Sequence, residues 1–164
     1  MSRYKFGIIG SNGFLGSNLC SELAYKNIKF IKFSSYKKNQ KNWLSKVLNE
    51  IKKHKPDLIV NCASEQILNI DETSIKKIIN ANILAQSVII RKAIQNKNFK
   101  GYITFGSKWE FDYLGRVNPL NFYSASKASM DVILNFFFFD FGLSIFSLEL
   151  CVFFCVNYKL FNVF

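Results

Sequence analysis

A glycine-spaced turn, Gly10-Ser-Asn-Gly13-Phe-Leu-Gly16, follows a short apolar run near the start of the chain, and far downstream a phenol and an ammonium stand four residues apart in Tyr123-Ser-Ala-Ser-Lys127. That spacing puts Tyr123 and Lys127 on one helix face. Beside a bound nicotinamide, the ammonium favours the tyrosinate and draws a group with an ordinary pKa of about 10 toward neutral pH. This is general acid and base chemistry on a carbonyl or an alcohol. Each motif alone is unspecific, but in this order they point to a redox site.

The glycines have separate tasks. Gly10 allows the tight turn, Gly13 lets a pyrophosphate approach the backbone, and Gly16 permits close packing of helix on strand. Asn12, Phe14 and Leu15 fill the turn and open the helix, whose free N–H groups and dipole bind phosphate. An NAD-selective site places Asp or Glu about twenty residues further on, at the adenosine ribose. Phe33-Ser34-Ser35-Tyr36-Lys37-Lys38 stands there instead. Hydroxyls and ammonium groups at Ser34, Ser35 and Lys37 accept a 2′-phosphate, and no carboxylate repels it, so NADP is favoured over NAD. A solvated loop explains the same residues nearly as well.

The elements that position these groups alternate between strand and helix, the pattern of a parallel sheet covered on both faces. Lys5 to Ile9 reads as a buried strand, and Leu15, Leu19 and Leu23 then recur at helical spacing. Ile28 to Phe33 is a second strand. Trp43, Val47, Leu48 and Ile51 form the apolar side of a helix that stops before Pro56, where the strand Asp57 to Cys62 begins. One long helix spans about Ser74 to Gln95, Tyr102 to Gly106 is another strand, and the Tyr123 helix runs to about Asp140.

The chain has 164 residues, and 49% of them are apolar, enough for one domain with a real core. Its net charge of +11 comes almost wholly from Lys, with Arg only at 3, 91 and 116. Base and bidentate phosphate recognition favour Arg, so a nucleic-acid partner is not expected. A basic surface still attracts an anionic nucleotide. Four cysteines without a Cys-x-x-Cys pair, and the single His54, are too few for a Cys/His metal site. No signal peptide precedes the first strand, so the protein is expected to be cytoplasmic.

These residues resemble the extended short-chain dehydrogenase/reductases that act on nucleotide sugars, the NAD-dependent epimerase/dehydratase family, over about Lys5 to Leu150. Gly10, Gly13 and Gly16 match its Gly-x-x-Gly-x-x-Gly. Pro56-Asp57-Leu-Ile-Val-Asn-Cys62-Ala63-Ser64 resembles the strand whose end lines the cofactor cleft, which implies cofactor contacts at Cys62, Ala63 and Ser64. Asn82 matches a helix position where the family keeps Asn, with a proton-relay role or simple capping of local backbone as its two readings. Ser107 takes the place of the catalytic Ser/Thr, and Tyr123 with Lys127 complete the set.

The segments Gly106-Ser-Lys-Trp-Glu110 and Asn118-Pro-Leu-Asn-Phe-Tyr123 are similar to a narrower branch, the 4-keto-deoxyhexose reductases such as abequose and paratose synthases. The resemblance implies hydride delivery to a sugar carbonyl, with Tyr123 as proton donor, Lys127 lowering its pKa and holding the nicotinamide ribose, and Ser107 bonding the carbonyl oxygen. An epimerase or dehydratase uses the same set. A non-catalytic dinucleotide-binding module, dimerising through the 74–95 and 123–140 helices, is the reading from another class. The expected fold is a Rossmann-type doubly wound α/β domain over residues 1–150, lacking the C-terminal substrate lobe. Residues 151–164 form an atypical hydrophobic tail where relatives continue, so the chain reads as truncated, frame-shifted or a fragment. The apolar run from Phe141 to Val156 is interrupted by Glu149 and is short of the about 18 to 20 residues a membrane span needs, so a buried strand is favoured over an anchor.

Overall fold

A computed structural model describes residues 4–34 and 42–150. Ser35, Lys37 and the tail at 151–164 lie outside the described residues. Five strands form one sheet: β1 (Phe6–Ile9), β2 (Phe30–Lys32), β3 (Leu58–Asn61), β4 (Gly101–Ser107) and β5 (Ser144–Leu150). Every pairing is parallel, in the order β2-β1-β3-β4-β5. The chain first adds β2 on one side of β1 and then crosses to add β3 on the other, which makes the β1/β3 boundary the switch point where such sheets bind ligands. The fold is the expected doubly wound α/β.

Helix α1 (Phe14–Tyr25) covers one sheet face, where Leu19, Cys20 and Leu23 pack on Ile8 and Val60. The opposite face holds the larger core, in which Ile9, Phe33, Ile59 and Tyr102 meet α2 (Trp43–His54), α4 (Ala85–Ala93) and α5 (Phe122–Phe141). The central strands are largely apolar, as the covered parallel sheet requires, with buried polar Asn61 and Ser107 at their C-terminal ends and Thr104 midway along β4. At Gly7 a side chain would overlap the Phe33 ring, so the missing Cβ lets β1 accept that phenylalanine.

The helix ends carry clear stop signals. Lys55 takes a left-handed conformation after α2, just before Pro56, and Lys52, Lys53 and His54 stand in the last turn where the dipole favours them. Asn121 and Ser124 form a capping box at the start of α5, and Gly142, with φ of 59°, ends it. One expectation needs correction. The helix read as continuous over 74–95 begins at Glu72 and has three parts: α3 (Glu72–Ile79), a π-helical turn at Asn80–Leu84, and α4. No helix among the described residues is long and apolar enough to cross a membrane.

Candidate functional site

The turn after β1 is built as the glycine spacing requires. Gly10 sits at φ of 74°, a left-handed conformation that suits glycine, and a Cβ there would lie 2.7 Å from the Ala63 nitrogen. Close approach of β1 and β3 at the switch point depends on that bare backbone. The Gly13 N–H donates to the Gly10 carbonyl at 3.0 Å, closing the turn. Gly16 packs its α-carbon against the same carbonyl, where a Cβ would overlap the oxygen.

Gly13 is the extended N-cap of α1. No side chain caps this end and no acidic residue stands in its first turn, so its free N–H groups remain for an anion. Asn12 is exposed, Phe14 is 72% exposed and Leu15 is half-buried, leaving the approach open. A dinucleotide pyrophosphate fits this site. Cys62 and Ala63 border it from the end of β3, and burial pushes the Cys62 thiol up to about 12, so it stays neutral.

Tyr123 and Lys127 lie on one face of α5, both buried, at 8% and 5% exposure. The Lys127 Nζ stands 5.9 Å from the centre of the Tyr123 ring and donates to the Phe105 carbonyl of β4 at 2.7 Å. This anchor fixes the ammonium under the tyrosine ring. In the chain itself the Tyr123 acidity runs opposite to the shift expected beside a bound nicotinamide. Burial raises the Tyr123 pKa above its ordinary value, the Glu110 carboxyl adds to the rise, and the Ser64 hydroxyl bonded to the phenol acts the other way. The Lys127 pKa is itself lowered, because burial outweighs the Glu110 and Asp131 carboxyls beside it. A buried ammonium held by a carbonyl at one side of the ring does not overcome the loss of water around the phenol.

Ser107 ends β4, is buried, and its Oγ accepts the Trp109 N–H at 3.3 Å. That bond leaves the hydroxyl its own proton to donate. Ser107 also caps a short 3-10 turn, Lys108–Glu110, in a capping box whose other half is the Glu110 carboxyl on the Ser107 N–H. Glu110 therefore joins Ser107 to the Tyr123 and Lys127 neighbourhood.

Asn82 sits fully buried in the π-helical turn. Its Oδ1 accepts the Glu65 N–H at 2.8 Å, while its Nδ2 donates to the Glu65 carbonyl and to Ser126 Oγ, both at 3.0 Å. Ser126 Oγ in turn donates to the Tyr123 carbonyl at 2.6 Å. The amide thus ties the segment after Ser64 to the start of α5. Gln86, one turn on, donates to the Asn82 carbonyl at 2.8 Å and accepts from Tyr102 and Thr104, both at 3.2 Å.

The chain matches the NAD dependent epimerase/dehydratase family over residues 7–159. It belongs to that family. A comparison with curated protein sequences finds no match. Among solved structures the chain is similar to a UDP-glucose 4-epimerase of Thermus thermophilus in complex with NAD, at 15% identity and TM-score 0.75, covering 88% of this chain and 54% of that one. It is also similar to a dTDP-4-dehydrorhamnose reductase of Clostridium acetobutylicum, at 17% identity and TM-score 0.73, with coverage of 95% and 56%. The Bacillus anthracis dTDP-4-dehydrorhamnose reductase in complex with NADP gives 18% identity and TM-score 0.73, with coverage of 92% and 54%. The chain spans about half the length of these structures.

Within this epimerase/dehydratase domain, three residues near the expected site were not singled out in the sequence. Glu110 had a signal, since Ser107-Lys-Trp-Glu110 has the capping-box spacing. Asp131 had one too, four residues after Lys127 on the same helix face. Glu50 of α2 had none: it accepts the Ser34 N–H at 2.8 Å and the Ser34 hydroxyl at 2.6 Å across sixteen residues. A carboxylate therefore stands at the end of β2 after all, and the Ser34 hydroxyl is engaged by it.

Proposed function

We propose that this chain is the dinucleotide-binding half of a nucleotide-sugar oxidoreductase of the 4-keto-deoxyhexose reductase type. The observation that carries the reading is the pairing of an anion-ready glycine turn at the sheet's switch point with buried Tyr123 and Lys127 on α5, where Lys127 Nζ bonds the Phe105 carbonyl of the strand that ends at Ser107. A bound dinucleotide would supply the hydride. Gly10, Gly13 and Gly16 with the α1 N-terminus would hold its pyrophosphate, and Cys62, Ala63 and Ser64 would flank it. Lys127 spends one N–H on Phe105 and keeps two donors for ribose hydroxyls. Ser107 hydrogen-bonds the sugar carbonyl oxygen and keeps its proton, and Tyr123 transfers the phenolic proton there. The Tyr123 phenol carries the proton that reduction requires of its donor. Asn82 supports this end of α5 through Ser126. Exposed Phe136, Phe138 and Phe139 on α5, with Ile75 and Ile79 on α3, support a homodimer through these helices.

Lost orientation of the sugar costs several kcal/mol of barrier, on the order of 5. A polypeptide of these 164 residues, about half the length of its structural neighbours, is expected to bind cofactor yet turn over little or none when assayed by itself. Fluorescence titration with NADPH and a rate assay on a 4-keto-deoxysugar nucleotide check both parts. Absence of cofactor binding removes the whole reading, whereas robust reduction that Tyr123→Phe abolishes removes only the inactivity.

Cofactor choice sets the hydroxyls and lysines of the 34–38 sequence against Glu50. We expect NADPH to bind several-fold tighter than NADH, a difference of about 1 kcal/mol. Glu50→Gln then widens the ratio, because a carboxylate beside Ser34 repels a 2′-phosphate. Equal or reversed affinities in the wild type, measured by calorimetry, would assign Glu50 to the adenosine ribose instead.

A further inference from the structure

Glu110 is 0% exposed, and its two oxygens have different surroundings. Oε1 takes the Ser107 N–H and lies so near Gly106 that a Cβ there would stand 3.0 Å from it. Oε2 is buried and meets no hydrogen-bond donor. The side chain in contact with this carboxyl is another carboxyl, Asp131 of α5, which the Ser147 hydroxyl of β5 also engages. Two carboxylates are both acceptors, so they bond each other only when one holds a proton. The titratable groups facing Glu110 are Asp131, Lys127 and Tyr123, all on α5, while β4 contributes the Ser107 amide.

We propose that Glu110 is a positioning residue of this site: one carboxyl oxygen fixes Ser107, the other side of the carboxyl shares a proton with the half-buried Asp131, and the pair carries a single charge opposite Lys127. The arrangement lets one group orient the serine and modulate the phenol without touching either reactant. Burial and the Asp131 charge raise the Glu110 pKa from 4.5 to about 7, with the Ser107 amide and Lys127 opposing, consistent with Glu110 as the holder of the proton. Asp131, held by Ser147, accepts it. When Glu110 loses that proton, its charge acts on Tyr123 and keeps the phenol protonated to higher pH. The proposal rests on the reading of Tyr123 as the reactive phenol for its meaning, and on no turnover for its test.

The test is carboxyl and phenol carbon NMR on the full chain. In the wild type one Glu carboxyl is expected to titrate near 7, against an ordinary value of about 4.3. Asp131→Asn should lower that midpoint by roughly one pH unit, as the like charge is removed. Glu110→Gln, which keeps an oxygen for the Ser107 amide, should delete the neutral titration and move the Tyr123 phenol midpoint down. Thermal stability adds a second readout. A folded pKa raised above 4.5 gives a contribution present below that pH and lost as pH rises through about 7, so Glu110→Gln should flatten this loss. If every wild-type Glu titrates near 4 to 5, or if folded Glu110→Gln leaves the Tyr123 midpoint in place, the proposal is overturned. Failure of cofactor binding or turnover leaves these titrations unchanged, so the two readings fail separately.

Discussion

Gly16→Val is expected to lower NADPH affinity at least a hundredfold, about 3 kcal/mol or more, in a chain that still shows α/β secondary structure. A Cβ at this position would overlap the Gly10 carbonyl oxygen and stand 2.8 Å from the Gly10 carbonyl carbon and 2.9 Å from the Ser11 α-carbon. All three are backbone atoms of the turn, and none can swing aside as a side chain does. The valine must therefore push α1 away from β1, carrying the first-turn N–H groups out of reach of a pyrophosphate. Gly13→Ala separates packing from ligand approach. Its Cβ would meet only the Gly10 oxygen, at 3.4 Å, so that variant should fold normally and still bind cofactor more weakly, its methyl facing the phosphate. Calorimetry with circular dichroism reads both. A folded Gly16→Val variant with undiminished affinity would refute the assignment of this turn.

What the sequence made legible were features encoded by neighbours along the chain. Glycines spaced 10, 13 and 16 after an apolar run place the turn, and the Lys55-Pro56 stop separates α2 from β3, because both act through backbone conformation within a few residues. The π-helical turn at Asn80–Leu84 was not legible, since one extra residue per turn leaves the apolar spacing of Ile75, Ile78, Ile79, Ile83 and Ile90 looking helical. The groups that set the Tyr123 acidity in the chain itself were not legible for a related reason. The favourable charge, Lys127, lies on the same helix, but the burial and the Glu110 charge that win come from packing against another segment. Glu50 reaches Ser34 only because α2 folds back over β2, so a stretch without carboxylates in sequence hid the one that Ser34 bonds.

Asn82→Ala is expected to destabilise the fold by about 3 kcal/mol. The substitution removes three side-chain hydrogen bonds, to the Glu65 N–H, the Glu65 carbonyl and Ser126 Oγ. Each group left without a partner in a buried site costs about 1–3 kcal/mol, and the half-buried Glu65 recovers some of this from water. For a chain of 164 residues, with roughly 3 °C per kcal/mol, the melting temperature should fall by about 9 °C. The π-helical turn makes the effect larger than for an ordinary helical Asn, because it aims this amide into the gap between the segment after β3 and the start of α5. Exchange of the Glu65 amide hydrogen should quicken well beyond the global change, and NADPH affinity should drop as Ser64 and its bond to Tyr123 lose their support. A purely relaying Asn82 would behave differently. Unchanged melting temperature and Glu65 exchange in Asn82→Ala, measured by calorimetry and hydrogen-exchange NMR, would remove the clamp and leave proton relay as its role.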